Sequence, residues 1–176
     1  MIFLTAALCG LTFHLPPHWT ARVERNDDDA SEHVACRVAI RPPKFSEIAE
    51  HSPWDPEDPP MSLIVVDTSL DDALGATGFE HDMDGALVVP SRGIEEKAER
   101  FRIGKWSGYR GHGWFRGYAR RDAELPEGES HIYSGGQWYV TVTDGKRWVG
   151  IECVSGPPDI TMNCDATTQS LLRSLR

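Results

Sequence analysis

The chain has 176 residues and a formal net charge of -9, with 27 acidic residues against 18 Lys and Arg. This acidic balance argues against general nucleic-acid binding, which depends on the neutralisation of phosphates by Lys and Arg. A hydrophobic fraction of 40% with six Trp indicates a folded chain rather than a disordered one. The length predicts a single domain over residues 1–176.

The apolar start of the chain has two interpretations. Residues 1–8 are either the remnant of an export signal or part of the fold, and they are too few to cross a bilayer. The stretch that ends at Cys9 resembles a bacterial lipoprotein box. The alternative is a first β-strand that continues to Leu15 and stops at two prolines, which cannot donate to a strand ladder.

The middle of the chain predicts short strands and short helices. Apolar runs predict three strands, over residues 34–40, 62–66 and 85–89, of which the second is apolar enough to be buried on both faces. A short helix over residues 70–74 is expected to end at Gly75, because glycine commonly closes helices. A further helix is expected over residues 94–100.

The strongest local signal lies in the last third of the chain. Residues 137–143 and 146–153 alternate apolar and polar side chains around Asp144-Gly145, a pattern typical of a β-hairpin. Bulky side chains such as Trp148 require one face of this hairpin to be covered. The predicted cover is a helix over residues 166–175 with Asp165 as its N-cap.

These elements together predict an α+β fold, a mainly antiparallel twisted sheet with short helices packed on it and a C-terminal helix. The stretch Gly10-Leu-Thr-Phe-His-Leu-Pro-Pro-His-Trp19 resembles the opening of PsbP-like α/β/α sandwich proteins, although His18 stands where a glycine is usual. The terminal residues 170–176 resemble the closing helix of the same group. The resemblance implies a binding or accessory protein of the bacterial envelope, and it transfers no catalytic residues.

Four cysteines bear on stability and on the compartment. Among the three possible connectivities we favour Cys9–Cys36 and Cys153–Cys164, because each bridge would fasten neighbouring elements. Each would add roughly 3 kcal/mol by the loop-entropy model. The alternative is four buried free thiols. Disulfides predict a periplasmic or cell-envelope location, with membrane attachment only through an upstream lipid anchor.

Signals of catalysis and of metal binding are weak. The sequence contains no Cys-x-x-Cys pair, no Gly-x-Ser-x-Gly elbow and no phosphate-binding loop, and its histidines are scattered. We therefore expect no metal, no cofactor and no enzymatic activity. The alternative is a cell-wall hydrolase, whose paired carboxylates are recognised by their distance in space and not by sequence.

The most informative feature is a local reversal of charge. Residues 100–121 contain seven Lys and Arg, six aromatic residues and no acidic residue. Arg, Trp and Tyr are enriched in the energetic centres of interfaces, so the predicted partner-binding residues are Arg110, His112, Trp114 and Arg116. The alternative is an ordinary strand pair with arginines outward. In that case the acidic stretches 27–32 and 55–58 become the better candidates.

The expected function is that of a non-enzymatic bacterial envelope protein that binds another macromolecule. A protein partner with an acidic surface would suit the cationic stretch, since complementary charge steers association. Small, acidic immunity proteins of bacterial toxin systems are similar in size, charge and cysteine content. Immunity or inhibition of a toxin or effector is therefore one form that this binding function can take.

Overall fold

A computed structural model of the chain describes residues 4–24, 33–45, 59–89, 96–118, 132–155 and 163–176. The strands within these ranges are β1 Leu4–Leu8, β2 Leu11–Leu15, β3 Thr20–Glu24, β4 Val34–Arg41, β5 Met61–Val66, β6 Glu80–His81, β7 Leu87–Val89, β8 Glu96–Lys97, β9 Glu99–Ile103, β10 Trp106–Tyr118, β11 Ile132–Thr143 and β12 Trp148–Ser155. The helices are α1 Leu70–Ala76 and α2 Cys164–Ser174. The predicted α+β class is confirmed.

The largest unit is a seven-stranded sheet with the strand order β3-β4-β5-β12-β11-β10-β9. Every neighbouring pair in it is antiparallel. All of these pairs join consecutive strands of the main sheet except β5 with β12, which brings the last strand back to the centre. Two smaller sheets, β1-β2 and β6-β7-β8, lie outside this order.

Both faces of the main sheet are covered, and β5, predicted to be buried on both faces, is buried along its whole length. One face packs against the α2 layer, which we define as β1, β2 and α2. The shared core of this face includes Phe13, Ile40, Leu63, Val142, Ile151, Leu171 and Leu172, all almost fully buried. The other face packs against the α1 layer, which we define as α1, β6, β7 and β8. Its core includes Ile64, Val66, Ala73, Leu74, Phe79, Val89 and Tyr139.

The α2 layer is fastened to the sheet by covalent bonds. Cys153 of β12 is bridged to Cys164 at the start of α2, and Cys9 is bridged to Cys36 of β4. These are the two bridges favoured from the sequence. The predicted N-cap Asp165 is wrong, because the side chain of Asn163 accepts the hydrogen bond from the backbone N–H of Ala166. The helix therefore begins two residues before the predicted range.

The start of the chain folds into a hairpin rather than one long strand. Strands β1 and β2 pair in register, and a two-residue turn with positive φ at Cys9 and Gly10 joins them. Residues 4–8, considered above as part of a signal remnant, thus form a strand of the fold. The disulfide of Cys9 also leaves no thiol there for the lipid attachment that a lipoprotein box would require.

The hairpin of the last third is present, but its turn differs from the predicted one. Thr143 pairs with Trp148, so the β11–β12 loop contains four residues and not only Asp144-Gly145. Gly145 has the expected positive φ, of 88°. The hydroxyl of Thr143 donates to the carbonyl of Arg147 and accepts from the N–H of Gly145, which closes the wider loop.

Two predictions for the α1 layer need correction. Helix α1 begins after Ser69, which forms a capping box with Asp72, and it continues through Gly75 to Ala76. The helix expected over residues 94–100 is wrong where the structure describes it, since β8 and β9 occupy residues 96–97 and 99–103. These residues form strands because β9 pairs with β10 in an antiparallel arrangement. Such a long-range contact cannot be predicted from the helix propensity of the segment alone.

Candidate functional site

The cationic stretch folds into a hairpin at the edge of the main sheet. Strands β9 and β10 are joined by a two-residue turn, Gly104-Lys105, in which Gly104 has a φ of 57°. Glycine adopts this left-handed conformation without a steric cost. Strand β9 is the last strand of the sheet, so the β9–β10 hairpin places the start of the cationic stretch at the sheet edge.

The four predicted binding residues occupy alternate positions of β10. Arg110, His112, Trp114 and Arg116 lie opposite Val140, Trp138, Gly136 and Ser134 of β11, in that order. The structure thus places the backbone positions of all four in one row. The side chains of Trp114 and Arg116 lie outside the described residues, so only Arg110 and His112 have described contacts.

Arg110 is held by contacts within the hairpin. Its Nε and Nη2 atoms donate to one carboxylate oxygen of Glu99, at 3.2 and 3.0 Å. Its guanidinium also lies 5.4 Å from the centre of the Phe101 ring. Glu99 stands just before the acid-free stretch in sequence, and strand pairing brings it directly opposite Arg110. Much of the charge of Arg110 is therefore neutralised by its neighbour.

His112 marks the point where β10 leaves its neighbour β9. Its ring is exposed and packs edge-on against Trp138, with 5.6 Å between ring centres. Pairing of β9 with β10 ends at Arg110, whereas β10 continues to Tyr118 opposite β11. Among the described residues, no strand pairs with the other edge of β10 beyond Arg110. This free edge is built from backbone donors and acceptors that another chain can use.

The opposite face of the same hairpin contains a cavity of about 420 Å³. It lies between the edge of the main sheet and the first residue of α1. Its lining residues are Leu70, Arg100, Phe101, Arg102, Ser107, Gly108, Tyr109, Thr143 and Trp148. Arg100 and Arg102 are both exposed, and the guanidinium of Arg100 lies 5.6 Å from the centre of the Tyr109 ring.

Sequence reasoning missed this cavity, although one signal pointed to it. A glycine followed by one residue between two apolar residues is typical of a type II′ hairpin turn, and Ile103-Gly104-Lys105-Trp106 has this form. Such a turn would have placed Arg100 opposite Tyr109, as the structure does. The contributions of Leu70 and Trp148 had no local signal, because they come from distant parts of the chain.

An ion pair connects the hairpin to the β11–β12 loop. The Nζ atom of Lys105 lies 3.1 Å from Asp144 and 4.6 Å from the centre of the Trp106 ring. Burial raises the pKa of the Asp144 carboxyl, but hydrogen bonds from Lys105 and from the backbone of Lys146 outweigh this effect and leave the pKa below its ordinary value. The cation of Lys105 is thus engaged within the fold.

Three polar side chains lie near one another on the α1-layer face of the sheet. Arg37 and Glu152 lie 3.8 Å apart, and Tyr139 is paired with Glu152 in the sheet register. Burial, followed by the charge of Glu152, raises the pKa of the Tyr139 hydroxyl well above its ordinary value. Both effects favour the protonated form of the hydroxyl.

All four cysteine thiols are used in disulfides. In the ranges that the structure describes, no three His, Cys, Asp or Glu side chains converge as metal ligands do, and neither α1 nor α2 is long and apolar enough to span a membrane.

No protein-family model matches the chain, and no curated protein is significantly similar to it. The choice of the β9–β10 hairpin as the candidate site therefore depends on the geometry and the charges of this chain alone.

Proposed function

We propose that this protein is a non-enzymatic binding protein of the bacterial envelope whose macromolecular partner docks on the outer half of β10. The observation that carries the proposal is the free edge of β10 beyond Arg110, in the described part of the chain. An unpaired strand edge can accept an extended segment of another protein as an additional strand. Main-chain hydrogen bonds then supply affinity, and the side chains along the strand supply specificity.

The lack of acidic residues in the stretch 100–118 favours a partner segment that is acidic. The chain as a whole carries a formal net charge of -9, yet residues 100–118 contain no Asp or Glu. Arg110 and Arg116 occupy alternate positions in one row of β10, whereas Arg100 and Arg102 belong to the opposite face of the hairpin. Arg110 and Lys105 are paired internally, so they orient the hairpin more than they attract a partner. We infer that His112, Trp114 and Arg116 provide the recognition side chains.

The two disulfides support the proposed location. Stable disulfides are typical of oxidising compartments such as the bacterial periplasm. A three-layer sandwich with a helix on each face of the sheet is also what the PsbP-like resemblance implies, and that resemblance stays a prediction. Immunity against a toxin or inhibition of an effector is the form of binding that the small size and acidic charge favour.

The test compares two charge reversals of equal size. Arg116→Glu changes the charge of β10, and Arg173→Glu makes the same change on α2, where Arg173 is exposed. Tagged wild-type protein would be used to capture a partner from a cell-envelope extract, and the purified partner would then be titrated with each variant. We expect Arg116→Glu to weaken binding and to reduce its dependence on salt, because steering depends on charge. Equal affinity of both variants would place the functional surface elsewhere.

Arg110 needs a different design because it is paired with Glu99. Arg110→Glu alone would set two carboxylates against each other and would destabilise the hairpin for reasons unrelated to binding. The exchange of both residues, Glu99→Arg with Arg110→Glu, preserves the ion pair and the net charge. If this exchanged variant keeps the wild-type affinity, Arg110 has a structural role, and the recognition charge belongs to Arg116.

A further inference from the structure

The cavity on the α1-layer face lies where small side chains stand between two large ones in a row across the main sheet. The strand register sets Arg102, Ser107, Thr143 and Trp148 in one row across four strands. Three strand spacings separate the first residue of this row from the last, which is roughly 14 Å. Small hydroxyl residues thus form a floor between a cation at one end and a large aromatic residue at the other.

The walls of the cavity come from neighbouring positions. Tyr109 lies two residues beyond Ser107 on β10, and the guanidinium of Arg100 packs over its ring. Leu70, the first residue of α1, also lines the cavity. Trp148 is itself supported by the apolar core of Ile64, Val66 and Ala73. The cavity therefore has apolar and aromatic side chains in its walls, and its volume of about 420 Å³ falls in the range of small-molecule sites.

The charges around the cavity have one sign. Its ionisable lining residues are Arg100, Arg102 and Tyr109, with no acid among them. Arg100 is stacked on Tyr109, whereas Arg102 is exposed and makes no ion pair with any residue that the structure describes. An Arg side chain offers several N–H donors in a planar fork that matches carboxylate, sulfonate and phosphate groups. Charge complementarity thus selects an anion.

From this arrangement we propose that the cavity is a binding site for a small organic anion with a flat apolar body. The apolar body lies over Ser107 and Thr143 between Tyr109 and Trp148, and the anionic group pairs with Arg102. This site is on the opposite face of the hairpin from Arg110 and Glu99, so it is independent of the macromolecular docking proposed above. The proposal commits to one ligand chemistry, an aromatic or similarly flat acid.

A matched pair of fluorescent probes tests this chemistry directly. Anilinonaphthalene sulfonate has a flat aromatic body and one negative charge, and N-phenylnaphthylamine has nearly the same body without the charge. Binding of each to the folded protein would be measured by titration calorimetry, with backbone amide NMR shifts to locate the site. We expect both probes to shift the amide signals of Ser107, Tyr109 and Thr143, with the anionic probe bound more tightly.

Three variants separate the contributions. Arg102→Gln should weaken the anionic probe about tenfold, the loss typical of a charge-assisted hydrogen bond, and leave the neutral probe unchanged. Ser107→Trp should fill the exposed floor and abolish binding of both probes. Arg173→Gln on α2 is the control and should change neither. The Arg116→Glu variant should also bind both probes as the wild type does, which separates this site from the proposed docking strand.

Two results would overturn the proposal. The first is an equal effect of Arg102→Gln and Arg173→Gln on the anionic probe, since the charge at the cavity would then have no specific role. The second is a set of amide shifts located away from the cavity, or the absence of any binding at millimolar probe. Arg102 and Ser107 are both exposed, so we expect Arg102→Gln and Ser107→Trp to fold. The circular dichroism spectrum of each variant must match that of the wild type.

Discussion

The two layers that cover the main sheet are held in different ways. The α2 layer is fastened by both disulfides, one from the β1–β2 turn to β4 and one from β12 to α2. Its backbone is also tied at the end of the chain, where Arg176 and Thr12 exchange two backbone hydrogen bonds. The α1 layer has no disulfide, and it depends on close packing of side chains against the sheet.

The α1 layer packs closely against the sheet at positions where the sheet has glycine. Gly111 of β10 lies under Val89 and Phe79, and Gly150 of β12 lies under Thr77. The absence of a Cβ at these positions lets the layer approach the backbone. The face closed by disulfides is thus linked covalently to the sheet, whereas the face that carries the cavity is attached to the sheet mainly by packing in the described residues.

The largest expected effect comes from removing the disulfides of the α2 layer. Replacing Cys9 and Cys36 by Ala, or Cys153 and Cys164 by Ala, should reduce the free energy of unfolding by about 3–4 and about 3 kcal/mol respectively, from loop lengths in the chain-entropy model. Urea denaturation measures the loss. Native-state hydrogen exchange should show the loss of protection in α2 and β2 first. Equal loosening of α1 would mean that the two layers are one cooperative unit.

The second prediction is that a methyl group added under the α1 layer destabilises the protein by overpacking. In Gly111→Ala the added Cβ would meet the Cγ2 atom of Val89 and would lie 3.2 Å from the ring of Phe79. Both side chains are buried, so we expect a loss of about 1–3 kcal/mol in the free energy of unfolding. Thermal and urea denaturation would measure it.

The matched control is Gly75→Ala, in the last turn of α1, where an added Cβ meets nothing within 4 Å. This change should stabilise the protein by about 0.5–1 kcal/mol, because Ala is the better helix former. Effects of the same sign for both glycines would show that the α1 layer does not pack on the sheet in the way described.

The third prediction concerns Gly145 in the loop that joins β11 to β12. Gly145 has a φ of 88° and no neighbouring atom within 4 Å of an added Cβ. Gly145→Val should therefore cost about 1–2 kcal/mol through backbone conformation alone. Gly145→Asn should cost less, since Asn tolerates this conformation. Equal melting temperatures for the two variants would indicate that residue 145 has negative φ in solution.

The smallest effect is expected at the ion pair of Asp144 and Lys105. Asp144→Asn keeps a hydrogen-bond acceptor but removes the charge, so at pH 7 we expect a loss of about 0.2–1 kcal/mol. The pKa of Asp144 is lowered in the fold, so its stabilisation is present above the ordinary value of 3.8 and is lost as the pH falls through the folded pKa. Unfolding curves of wild type and variant should converge in that acidic range. A constant difference at every pH would assign the effect to packing.

The local sequence determined the kinds of elements and several of their positions. Alternation over residues 137–153 specified β11 and β12, and leucines at helical spacing specified α2, because these periods follow from backbone geometry within each segment. The even cysteine count and their placement indicated the two bridges. The cationic stretch was also visible, since charge is a property of composition that needs no fold.

Only the tertiary structure decided which side chains meet. Alternation along β11 places Tyr139 and Val142 on opposite faces of the sheet, but only the tertiary structure covers each face with its own layer. Glu99 neutralises Arg110 only through the register of β9 with β10. The cavity needs Leu70, Arg102 and Trp148 from three separate segments, and their meeting depends on long-range pairing of β5 with β12. These contacts depend on how the whole core packs, so they cannot be predicted from any single segment of the sequence.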